Sequence, residues 1–163
     1  MRAPPPLVTS APLAPDLNGW AGFFTRNSGP APARARRRGG RRRGRLVPVS
    51  GVPSPAAVDP AEARQRVESG ALLLDVREPD EWSAGHVPEA TWIPLRELAG
   101  RQAELPSDRP IVVVCRSGDR SGRVSNALCR AGYDAANLSG GLLAWTAAGL
   151  PVVTDAGGAG TVA

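Results

Sequence analysis

The 163 residues suffice for one domain with its own core plus a tail and are too few for two domains of usual size. All twenty basic residues are arginine, and the net charge of +5 joins two opposite parts: residues 1–50 carry ten arginines against the single Asp16, while residues 51–163 carry ten against fourteen carboxylates. Nowhere do about 18 apolar residues run together, and Leu7 to Leu17 is interrupted by Pro12, Pro15 and Asp16, so neither a membrane span nor a secretory signal is expected and the chain reads as cytoplasmic.

Residues 1–52 read as a disordered Pro/Arg-rich tail, because proline clusters and the run from Arg34 to Arg45 cannot bury enough apolar surface to fold. The run could meet phosphates through charge alone, but no aromatic interleaves it to stack on bases, which disfavours nucleic acid as a partner. The globular part is expected over residues 53–154. A short strand ends at Val58, followed by Asp59 as N-cap, Pro60 at the first helical position and Glu62 where a capping box would close, with Gly70 stopping the helix. Ala71 to Val76 is a second buried strand. Asp75 and Arg77 leave its C-terminal end, the edge where open α/β sheets bind ligands. An ion pair from Arg77 to Asp75, Glu78 or Asp80 would fix the loop there. Glu81 and Trp82 begin a short helix, with Trp82 as a packing anchor.

His86, the sole histidine, lies in the turn Gly85-His86-Val87-Pro88, where a ring-to-backbone hydrogen bond would fix the bend. Trp92 and Ile93 form a short strand, Pro94 opens a helix through Glu104, and 106–110 is a turn. The strand Ile111 to Val114 then runs into Cys115 and the loop Arg116-Ser117-Gly118-Asp119-Arg120-Ser121, ahead of a helix with Val124, Ala127, Leu128 and Ala131 on one face. Cys129 lies beside that stripe as a packing residue. A last strand over Ala135 to Leu138 leads to Gly140-Gly141 and a helix holding Leu142, Leu143 and Trp145, ended by Gly149 and Pro151. Residues 155–163 read as a flexible C-terminal tail without a core pattern.

Strand, loop, helix places Cys115 at a helix mouth. Amides without intrahelical partners point outward there, the macrodipole adds partial positive charge, and Arg116 and Arg120 strengthen the preference for an anion. One such anion is the thiolate itself, the reactive form of cysteine. The two cysteines are fourteen positions apart, outside C-x-x-C or zinc spacing, so no metal and no disulfide is expected.

The loop Cys115 to Ser121 resembles the active-site loop of the rhodanese sulfurtransferases. The likeness extends upstream through LLLDVREPDEWSAGHVPEATWIPL and downstream through NLSGGLLAWTAAGLPVV, spanning residues 55 to 153. It implies an α/β fold, a small parallel sheet of about five strands with helices on both faces. It also implies Cys115 as the nucleophile that carries a persulfide, a loop from Arg116 to Ser121 that binds the donor, and no cofactor. Asp75, Arg77 and His86 would support the site from behind, and in this family the histidine is not the catalytic base. Related cysteine phosphatases need five residues between cysteine and arginine. Here four separate Cys115 from Arg120 and Ser121 follows, a tighter cradle that suits one sulfur better than a phosphoryl group. The expected reaction moves a sulfane sulfur from a small anionic donor, thiosulfate, to cyanide or a thiol. The alternatives are a persulfide carrier that passes sulfur to a partner protein, and a phosphatase-like enzyme. Asp119, awkward beside an anion site, is expected to pair with Arg120 or Arg123.

Overall fold

Strands that are apolar at nearly every position, alternating with helices that bury one face, call for a parallel sheet covered on both sides. The computed structural model, which describes residues 54–163, has this form. Its elements are β1 (Ala56–Val58), α1 (Pro60–Glu68), β2 (Leu72–Asp75), α2 (Pro79–Ala84), β3 (Thr91–Trp92), β4 (Ile111–Val114), α3 (Asp119–Arg130), β5 (Ala135–Leu138) and α4 (Gly141–Ala147). The five strands run in the order β1-β5-β4-β2-β3, every neighbouring pair parallel. The tail expected over residues 1–52 lies outside the described residues.

Side chains alternate between two cores. Leu72, Leu74, Ile111, Val113 and Cys115 face α3 and the segment 93–105, whereas Leu73, Val112, Val114, Ala136 and Leu138 face α1 and α4. All four residues of β4 are 0% exposed, and fully burying each such side chain contributes about 1.5–3 kcal/mol. The residue that follows β4 therefore starts from the firmest footing in the sheet. The Asp59 carboxylate caps α1 by accepting the Glu62 amide at 2.8 Å, while the Glu62 side chain turns to Arg66 at 2.6 Å and leaves the expected capping box half made.

Two expectations are corrected. The helix from Pro94 to Glu104 is absent: the Glu97 and Gly100 amides donate to the carbonyls of Pro94 and Glu97, three residues back, and only Gln102–Glu104 forms a 3-10 turn. With Gly100 interrupting the segment, tight turns suffice to bury Leu98 and Leu105. Residues 155–163 are likewise not a tail without contacts. Val153 bridges Ala159, the Thr161 amide donates to the Ala84 carbonyl at 2.9 Å, and Val162 packs on the second core. The small residues that suggest a loose end are what allow the Gly160 backbone to lie directly on Gly85.

Candidate active site

Cys115 sits one residue past β4, at the C-terminal edge of the sheet, and is 0% exposed. Its Sγ accepts three hydrogen bonds: from the Gly118 amide at 3.2 Å, the Ser121 amide at 3.4 Å and the Ser121 hydroxyl at 3.3 Å. The two amides come from the start of α3, where backbone donors lack intrahelical partners. Gly118, the N-cap, adopts φ 97°, a left-handed conformation that turns the loop back over the sulfur. Ser121, itself 0% exposed, thus serves the sulfur with backbone and side chain together.

A second helix holds the loop from the other side. The first amides of α4, on Leu142 and Leu143, donate to the carbonyls of Cys115 at 2.9 Å and Arg116 at 3.1 Å. That approach requires glycine at 141, since a Cβ there would collide with both carbonyl oxygens and φ is +60°. Sequence reasoning saw Gly140-Gly141 only as a helix start; nothing in the pattern says which backbone a glycine must approach.

The loop's two arginines part company. Arg116 is exposed, available to an incoming anion. Arg120 forms a bidentate pair with Glu81 of α2, Nη1 donating to Oε2 at 2.6 Å and Nη2 to Oε1 at 2.5 Å. Glu81 was missed as a site residue, and a pair 39 positions apart leaves no local signature. The guanidinium holds the Glu81 carboxyl below its usual value, and Glu81 foremost, with a smaller contribution from the neighbouring Cys115 sulfur, raises the pKa of Arg120.

Behind this pair stands the buried clamp of Asp75 and Arg77, both side chains 0% exposed. Arg77 Nη2 reaches Asp75 Oδ2 at 2.7 Å and Nε reaches the same oxygen at 2.9 Å, while the Arg77 amide donates to Oδ1 at 3.0 Å. Its other donors go to the carbonyls of Glu81 at 2.9 Å and Gly85 at 2.8 Å. Burial pushes the Asp75 carboxyl up, and Arg77 pulls it back. Arg77 thus pairs with Asp75 rather than Glu78 or Asp80, and its second task is to hold carbonyls in the C-terminal turn of α2.

Asp119 departs from expectation. Because Arg120 is engaged by Glu81, the Asp119 carboxylate instead accepts from the Ser117 hydroxyl at 3.4 Å, both residues being exposed. His86 lies 3.8 Å from Trp82 in a near-parallel stack, which Trp92 continues at 5.4 Å. Its Nδ1 is 3.2 Å from the Trp82 carbonyl, the expected ring-to-backbone bond. Cys129, on the α3 face that packs on the sheet, is buried and donates to the Ala135 carbonyl at 3.3 Å.

Chemically, the site is one buried sulfur facing converging donors, with the exposed Arg116 guanidinium at the rim and the neutralised Arg120 guanidinium beside the sulfur. Residues 59–148 match the family model described as a rhodanese-like domain. The chain is 41% identical over 87 residues to a protein named sulfurtransferase from Allochromatium vinosum, covering 53% of this chain and 81% of that one. It is 32% identical over 89 residues to the thiosulfate sulfurtransferase GlpE of Pseudomonas syringae, covering 54% and 84%. Two longer curated relatives are spanned over only 44% and 24% of their own length. Among solved structures, a rhodanese-related protein from Thermoplasma volcanium superposes with a TM-score of 0.58 at 29% identity, covering 61% of this chain and 99% of that one.

Proposed function

The chain belongs to the rhodanese-like family, and from that premise we propose that it is a sulfurtransferase moving a sulfane sulfur from thiosulfate to cyanide or a thiol through a persulfide on Cys115. The observation that carries the reading is the set of three donors aimed at Cys115 Sγ. Such donors stabilise a charged sulfur and its persulfide without a general base. Among the described residues the only histidine is His86, whose Nδ1 faces a carbonyl and whose Nε2 lies 3.9 Å from Asp155.

In the first half-reaction the Cys115 thiolate attacks the outer sulfur of thiosulfate. A new S–S bond forms, the donor's S–S bond breaks, and its electron pair leaves with sulfite. The exposed Arg116 meets the sulfonate oxygens, and the amides of Gly118 and Ser121 hold the persulfide anion. In the second half-reaction the acceptor attacks the outer persulfide sulfur and returns Cys115 as thiolate. Because Cys115 is 0% exposed, the acceptor has to be small or slender where it enters. Intact mass after thiosulfate treatment should show one added sulfur, removed again by cyanide and absent from Cys115→Ala; an unloaded protein, or equal loading of that variant, would refute the mechanism.

A further inference from the structure

Arg120 and Glu81 together pose a question that the sulfur chemistry does not answer: a loop cation that neighbours the Cys115 sulfur is already neutralised. We propose that Glu81 is a specificity-determining residue that cancels one of the loop's two cationic charges and thereby weakens the hold on doubly charged sulfur donors such as thiosulfate more than on singly charged ones. The inference rests on the sulfurtransferase reading above and concerns which donor the same site prefers.

The geometry gives Glu81 little freedom to leave. Its side chain is 15% exposed, its carboxylate also accepts the Glu78 amide at 3.1 Å, and its carbonyl is held by the buried Arg77 at 2.9 Å. With both outer nitrogens of Arg120 engaged by the two carboxylate oxygens, a donor anion meets the pair as a nearly neutral unit, and Arg116 supplies the remaining positive charge at the rim. A carboxylate fixed in place repels a bound anion in proportion to the anion's charge. A dianion such as thiosulfate feels that repulsion twice as strongly as a monoanion of similar shape, such as methanethiosulfonate. Both load the same cysteine by the same step, the thiolate taking the outer sulfur while sulfite or methanesulfinate departs with the bonding pair.

The test compares KM and kcat for thiosulfate and methanethiosulfonate, with cyanide as acceptor, in wild type, Glu81→Gln, Glu81→Asp and the double variant Glu81→Gln/Arg120→Gln. Removing the Glu81 charge should lower the thiosulfate KM by about tenfold and the methanethiosulfonate KM by about threefold, the two-to-one ratio in logarithm that Coulomb's law requires. Glu81→Asp, which keeps the charge, should keep the wild-type selectivity ratio. The double variant removes both charges, leaves neither partner stranded, and should also stay near that ratio. If Glu81→Gln does not fold, Arg120→Gln decides the matter: it leaves the Glu81 charge uncancelled and should raise the thiosulfate KM by about tenfold and the methanethiosulfonate KM by about threefold, whereas equal shifts for both donors would overturn the inference. Equal shifts for both donors in Glu81→Gln, a rise in both KM values, or a ratio that moves equally in Glu81→Asp would overturn the inference and leave Glu81 as a prop for Arg120. Failure of the wild type to load sulfur from either donor would remove the sulfurtransferase reading itself, so the two failures are distinguishable.

Discussion

Replacing Arg77 by methionine tests whether the buried clamp holds the site. The guanidinium binds the Asp75 carboxylate and the carbonyls of Glu81 and Gly85, with both charged side chains 0% exposed. Methionine fills much of the volume but strands that carboxylate and both carbonyls. Breaking one side of a buried pair costs about 3–5 kcal/mol, and a stranded buried acceptor about 1–3 kcal/mol, against a whole-domain stability of about 5–15 kcal/mol. The variant should therefore lie near the edge of unfolding. Its pH dependence is diagnostic. In the wild type burial already raises the Asp75 carboxyl above 3.8, and Arg77 pulls it back; without the guanidinium only the residue-77 amide still opposes the upward push. The folded variant then binds that proton more tightly than the unfolded chain. Its stability is greatest below the ordinary carboxylate value and falls as pH rises through the raised one. Urea midpoints between about pH 4 and about pH 8 would show this as a slope steeper than that of the wild type. Asp75→Asn combined with Arg77→Met should recover part of the loss by removing the stranded charge. A wild-type midpoint with a flat pH profile, or a double variant weaker than the single, would refute the account.

Other perturbations separate the parts of the site. Gly141→Ala places a Cβ against the carbonyls of Cys115 and Arg116 at φ +60°, so sulfur loading, followed by intact mass, should fall far more than thermal stability. Ser121→Ala removes one of three donors to Sγ; a hydrogen bond to a charged group is worth about 1.5–3 kcal/mol, so kcat/KM for thiosulfate should drop by about tenfold or more while the fold persists. Glu81 is held below its usual 4.5 chiefly by Arg120. Its contribution to stability is thus present above the unfolded value and lost as pH falls through the lower folded one, and Glu81→Gln should flatten that acid limb in a denaturation series.

Most of the fold was legible because β4 is an unbroken apolar run and β2 and β5 are apolar but for Asp75 and Asn137, and a parallel sheet buries both of its faces. The loop was legible for a related reason: Cys115 to Ser121 is one contiguous stretch whose chemistry follows from strand, turn and helix N-terminus. The misses share a different cause. Pro94 and the leucines after it fit a helix, but Leu98 and Leu105 reach the core through successive three-residue turns that periodicity does not distinguish. The partner of Arg120 is 39 residues away, and with Glu78, Asp80 and Glu81 all on or beside one short helix only three-dimensional placement selects Glu81. The C-terminal segment misled because glycine and alanine read as disorder, whereas here they permit close backbone contact with Gly85.

The supports of the site fall into two systems, one of backbone and one of side chains, that meet at the start of α3. One system is backbone: α3 turns its first amides on Sγ, and α4 turns its own on the carbonyls of Cys115 and Arg116, so the loop is held by groups whose polarity no solvent condition alters. The other is a relay of ionised side chains from Asp75 to Arg77, across the Glu81 backbone to its carboxylate, and on to Arg120. The first system fixes where the sulfur is; the second, on the proposal above, sets how much charge an approaching donor meets. Donor preference can therefore change at Glu81 without disturbing the donors on the sulfur, whereas any change at Gly118, Ser121 or Gly141 moves the nucleophile itself. On the proposed mechanism, a site divided in this way allows donor charge preference to be altered independently of the step that would make the persulfide.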